Sequence, residues 1–97
     1  NNIESYNMSN IIDVKKTAVK FLKENIKCHH ITVVKIQKIQ ENWNAIAEIY
    51  EDDSFLKSMN LPMKQIRMFY WIKMDEKLDI IFFERMNSME DIDMNDE

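Results

Sequence analysis

The sequence predicts an α+β fold: one N-terminal amphipathic helix packed on a four-stranded antiparallel sheet, in the order α-β-β-β-β. Three observations predict it. Apolar residues recur at helical spacing only near the N-terminus. Four later stretches alternate apolar and polar residues with a period of two. Short polar connections join those stretches into two consecutive hairpins.

The helix is expected over residues 10–27. Ser9 is the candidate N-cap, and Asp13 lies in the first turns, where negative charge suits the helix dipole. Ile11, Val14, Ala18 and Leu22 form the apolar stripe, with Ile12, Val19 and Ile26 beside it. Lys15, Lys16, Lys20, Lys23 and Lys27 fall mainly elsewhere, as charges on the solvent side of a surface helix do. Asn25 and the late lysines suit a C-terminus within residues 25–29.

A first strand is expected over residues 31–40, with Val34 and Ile36 on one face and Lys35 and Gln37 on the other. Ile39 breaks that alternation, which places a bulge near Lys38. Glu41-Asn42 is the turn into a second strand over residues 43–51. The connection 52–65 carries Asp52-Asp53, Asn60 and the single proline, Pro62, with one helical turn expected over 54–59. Strands over 67–75 and 78–86 are joined across Asp75-Glu76-Lys77. No shift of composition marks a second domain. The expected organisation is a frayed segment 1–8, one α+β domain over 9–86, and an acidic tail over 87–97 whose composition is that of disordered chain.

With 97 residues, 45% of them hydrophobic, the chain suffices for one domain with a real core. The formal charge of −4, with basic residues clustered only on the helix, argues against a nucleic-acid partner. No apolar run approaches the ~18 residues that cross a bilayer, and no signal peptide is visible, so no membrane partner is expected. A single cysteine, Cys28, forms no intramolecular disulfide, which suits a reducing compartment. The chain has no glycine. That removes phosphate-cradling loops, dinucleotide fingerprints and nucleophile elbows, and it leaves the turns to Asn, Asp and Lys.

Alternation along the strands yields two faces. Trp43, Ala45, Ala47, Ile49, Met68, Tyr70, Ile72, Met74, Ile80 and Phe82 form the face suited to the helix, where small Ala45 and Ala47 admit a close approach. Ile46, Glu48, Tyr50, Phe69, Trp71, Lys73, Ile81, Phe83 and Arg85 form the other, which one helix cannot cover. Aromatic side chains among a few charges there have the composition of an interface core, and these nine residues are the candidate partner-binding set. Glu48, Lys73 and Arg85 are expected to pair across strands among the aromatics. The plainer reading is that the loop around Phe55, Leu56 and Leu61 folds over part of this face. A third is a small-molecule pocket on it.

Other chemistry finds little support. Cys28-His29-His30 places three metal-type ligands side by side, where they cannot converge on one ion, and no further Cys or His completes a site. Glu48 and Glu51, three apart on a strand, face opposite sides and make no acid/base pair. Nothing marks a Ser-His or Cys-His nucleophile. The eight methionines suit adaptable core and interface filling. No catalytic residue, metal or cofactor is expected.

From Trp43 onward the chain resembles the gas vesicle accessory protein family GvpO. The family motif W-x-V-x-V-E-x-x-E has its counterpart in Trp43-Asn44-Ala45-Ile46-Ala47-Glu48-Ile49-Tyr50-Glu51. Leu61-Pro62 stands where the family has Ile-Pro. Tyr70-Trp71-Ile72-Lys73-Met74-Asp75 stands for Y-E-V-x-L-D, and Phe83-Glu84-Arg85 for the closing aromatic-x-Arg strand. The chain departs from the family in lacking its glycines, in carrying Asn60 where an Arg tends to precede Ile-Pro, and in lacking a closing Arg-Tyr pair. The resemblance covers about residues 9–86. It implies a cytoplasmic, non-enzymatic protein that assists gas vesicle assembly by contacting other gas vesicle proteins. Self-association through the aromatic sheet face is a further expectation. The alternatives are a ligand-binding or regulatory module that uses the sheet as a cup holding Trp71 and Arg85 together, and a small cone-shaped enzyme with a buried acid near Glu48.

Overall fold

The computed structural model describes residues 10–88. The expectations for residues 1–8 and for most of the acidic tail lie outside them. The described chain runs α1 (Ile11–Asn25), β1 (His29–Ile39), β2 (Asn42–Asp52), α2 (Ser54–Ser58), β3 (Gln65–Met74) and β4 (Ile80–Met86). The sheet is an antiparallel meander in the order β1-β2-β3-β4, with α1 on one face, which is the α+β architecture the sequence predicts.

The helix starts one residue later than expected, because Asn10 and not Ser9 caps it. Asn10 Oδ1 accepts hydrogen bonds from Ile12 N at 3.0 Å and Asp13 N at 3.4 Å, satisfying two donors that the first turn leaves open. The extended backbone of Ile26 ends the helix. Val14, Ala18 and Leu22, each four residues on from the last, are fully buried. Burying a leucine such as Leu22 contributes about 1.5–3 kcal/mol. Ile11, expected on the stripe, is instead exposed.

The core lies between α1 and one face of β2 and β3. Val14, Ala18 and Leu22 meet Ala45, Ala47, Ile49, Met68, Tyr70, Ile72 and Met74, with Phe21, Ile36, Trp43 and Ile80 packed around them. The alternation read from the sequence holds without interruption through the central pair, where β2 and β3 stay in register from Trp43–Met74 to Asp52–Gln65.

The outer strands depart from that regularity. In β1, Val33 pairs with Ala47 and Lys35 with Ile46, so Val34 is an extra residue that bulges out. Val33 therefore packs on the core with Ile36, and Val34, expected beside Ile36, is exposed. A second irregularity lies between His29 and Thr32, where His30 has a φ of 52°. The bulge expected near Lys38 does not occur: Gln37, Lys38 and Ile39 pair in step with Asn44, Trp43 and Asn42. In β4, Lys73 pairs with Phe82 but Met74 with Ile80, so Ile81 is the extra residue.

Without glycine, the turns use other residues in left-handed backbone: Gln40 (φ 58°), Asn60 (φ 57°) and Leu78 (φ 68°). Of these only Asn60 is of the kind expected. The first hairpin turns on Gln40-Glu41, one residue earlier than read from the sequence, with the positive φ at the position that favours glycine in a type II′ turn. Asp75 organises the last turn, its Oδ1 accepting from Lys77 N at 2.8 Å and Asp79 N at 3.0 Å. In the long connection Asp53 caps α2, and Asp53 N donates to Lys64 O at 2.8 Å, closing the neck of the loop.

Candidate functional site

The sheet face turned away from α1 draws side chains from all four strands. Ile46 and Phe69 are buried there, 1% and 7% exposed, in a second small cluster with Ile39, Trp71 and Met86 packed against it. Both lie on the stretch where β2 and β3 pair regularly. The loop does not supply the cover considered from the sequence. Phe55 and Leu61 are exposed, and neither they nor Leu56 join the cluster.

Two polar contacts anchor this face. Asn44 is 1% exposed, and its Oδ1 accepts a hydrogen bond from Trp71 Nε1 at 2.8 Å. That contact fixes the indole plane. Phe82 then stands edge-on to the Trp71 ring, with centroids 5.2 Å apart, and Lys73 Nζ lies 5.6 Å from the Trp71 centroid and 6.0 Å from that of Phe82. Phe82 is 40% exposed. Arg67 lies over Phe69 at 5.5 Å and reaches Glu48, Nη1 to Oε2, at 3.4 Å. Glu48 thus pairs with Arg67 and not with Arg85. Tyr50 sits at the far end of the face, where the His30 ring approaches to 6.0 Å.

Phe83 and Arg85, expected on this face, are on the other one. The extra residue Ile81 shifts the rest of β4 by one position, and a one-residue shift exchanges the two sides of a strand. Phe82 therefore joins Trp71, while Phe83 pairs across from Ile72 and meets Phe21 of the helix at 5.0 Å. Arg85 pairs across from Tyr70 and reaches over β3 to Glu51. Its Nη2 donates to Oε1 at 2.8 Å and its Nε to Oε2 at 3.3 Å, a two-pronged contact between β4 and β2. Trp71 and Arg85 are thus held on opposite sides of the sheet, which removes the cup expected to hold them together.

The Glu51–Arg85 pair sets the electrostatics of the helix side. Burial pushes the Cys28 thiol and the Tyr70 phenol above their ordinary pKa values, and the Glu51 carboxylate adds to both shifts. For Tyr70 the Arg85 guanidinium partly opposes them. The hydrogen bond to Glu51 holds Arg85 above the usual guanidinium value. A thiol raised by burial is a poorer nucleophile at neutral pH.

Among the described residues no group of three or more His, Cys, Asp or Glu side chains is placed to hold a metal ion. His29 Nε2 instead lies 3.3 Å from Asp52 Oδ1. No described helix is long and apolar enough to cross a membrane. A surface concavity along α1 is lined by Ile12, Lys15, Lys16, Val19, Lys20, Lys23 and Glu24, on the side that faces away from the core. Compared with known proteins, the chain matches no family model, no curated protein and no solved structure.

Of the nine residues read from the sequence, Ile46, Glu48, Tyr50, Phe69, Trp71 and Lys73 share the outer face; Phe83 and Arg85 do not, and Ile81 is the extra residue of β4. Ile39, Asn44, Arg67, Phe82 and Met86 were missed as members. Asn44 shares the parity of Ile46 and Glu48, and was open to the same reasoning. Phe82 was hidden by the Ile81 bulge, which leaves no mark in the alternation of β4.

Proposed function

We propose that this is a non-enzymatic binding protein of the gas vesicle accessory type, acting in the cytoplasm by contact with other gas vesicle proteins during assembly. The GvpO resemblance of the run from Trp43 to Arg85 suggests the system. The observation that carries the contact mode is the Trp71–Phe82–Lys73 group: a hydrogen-bonded indole, a half-exposed ring against it and an ammonium over both. Rigid, preplaced aromatics beside a cation are the residues that anchor protein interfaces, because little side-chain freedom is lost when a partner covers them.

The other residues that carry the resemblance support a binding role rather than a reaction. Trp43 packs against the core, Glu48 pairs with Arg67, and Glu51 pairs with Arg85. Each is engaged in holding strands together. The test is co-purification of the tagged chain with the gas vesicle shell and accessory proteins of its own organism, together with deletion of its gene. Capture that is lost with Phe82→Ala, and vesicles lost on deletion, are the expected results. No capture and normal vesicles after deletion would overturn the reading.

A further inference from the structure

The two edges of the sheet are built differently. β1 carries two irregularities and displays His29, His30, Lys35 and Lys38. Bulges and charges of that kind discourage a further strand from adding. β4 has neither lysine nor proline, and it carries one irregularity, the extra residue Ile81, against two in β1. Ile81, Phe82 and Phe83 are 50%, 40% and 49% exposed in succession. Among the described residues no strand lies beyond β4.

We propose that the protein pairs with a second copy of itself, β4 against β4 in antiparallel fashion, joining two four-stranded sheets into one. Three features select the second copy as occupant. A strand added here must meet apolar groups on both faces, since Phe82 lies on the Trp71 side and Phe83 on the Phe21 side. β4 itself offers that two-sided pattern. Its charges also restrict the register. Centring the two-fold axis on Glu84 sets carboxylate against carboxylate, and centring it on Arg85 sets guanidinium against guanidinium, both unfavourable. Centring it on Phe83 sets Phe83 against Phe83 and Phe82 against Glu84, with no like charges opposed. Finally, the irregular, charged β1 edge blocks head-to-tail addition, so pairing closes at two chains instead of growing into a fibre.

This inference is independent of which proteins the outer face binds. The test is sedimentation equilibrium of the full chain from about 1 to about 200 micromolar, the range of weak to moderate association, with hydrogen exchange at both ends of it. The expected mass rises from 11.8 kDa towards twice that value, and β4 amides exchange more slowly at high concentration. Ile81→Lys, at an exposed position, is expected to weaken the dimer by about tenfold or more while leaving the thermal melt intact; Val34→Lys on β1 leaves the dimer unchanged. A chain that stays monomeric throughout overturns the proposal, as does a dimer whose β4 exchange ignores concentration. Pairing of β4 only with a strand of another protein overturns it too.

Discussion

The indole nitrogen of Trp71 donates to the side-chain oxygen of Asn44 at 2.8 Å, joining β3 to β2 on the sheet face that the helix leaves alone. Asn44 is almost wholly buried, so the bond satisfies an acceptor with little access to water. Trp71→Phe removes the donor and strands that oxygen. It is expected to cost about 1–3 kcal/mol in chemical denaturation. Asn44→Ala combined with Trp71→Phe is expected to cost less than the sum of the single changes, because the second change no longer orphans a partner. Additive effects would show that the bond does not hold in solution.

The β1 bulge makes neighbouring valines unequal. Val33 packs on the core, and Val34 is 43% exposed. Val33→Asp sets a carboxylate against the apolar core and is expected to destabilise by about 1–3 kcal/mol, while Val34→Asp stays within about 0.5 kcal/mol. The opposite ranking in urea unfolding would restore the regular alternation that places Val34 inward.

Gln40 holds a left-handed backbone at an exposed turn position without the freedom of glycine. Gln40→Gly relieves that conformation and is expected to stabilise the fold by about 0.5–1 kcal/mol, after the greater unfolded-state entropy of glycine is counted. A thermal melt decides it, and an unchanged or lower midpoint counts against the strain.

Tyr70 and Cys28 ionise above their ordinary values because burial and the Glu51 charge oppose their anions. The unfolded chain therefore releases these protons at lower pH than the folded one. The stability linked to them is complete below the ordinary thiol and phenol values and declines as pH rises through them towards the raised, folded-state values. Unfolding free energy should fall from about pH 8.5 upward. An ultraviolet titration should show phenol ionisation extending above the ordinary tyrosine range, with that late component abolished in Tyr70→Phe. Glu51→Gln should shrink it, since the carboxylate is its second cause.

Much of this protein is set by local pattern. Val14, Ala18 and Leu22 recur every fourth residue, and the alternation of β2 and β3 sorts Ala45, Ala47, Ile49, Met68, Tyr70, Ile72 and Met74 to the inner side; both periods are properties of the backbone and survive wherever strands pair in step. Absence of glycine likewise excludes whole chemistries before any fold is known. The faces of the outer strands were decided elsewhere. Whether Val34 and Ile81 stay in the ladder depends on how β1 fits against β2 and β4 against β3, a matter of two strands at once. One extra residue in β4 moved Phe82 beside Trp71, and sent Phe83 to Phe21 and Arg85 to Glu51. The two sheet faces drawn from alternation alone therefore hold along the regular central strands and are inverted along β4, because a bulge changes parity without changing composition.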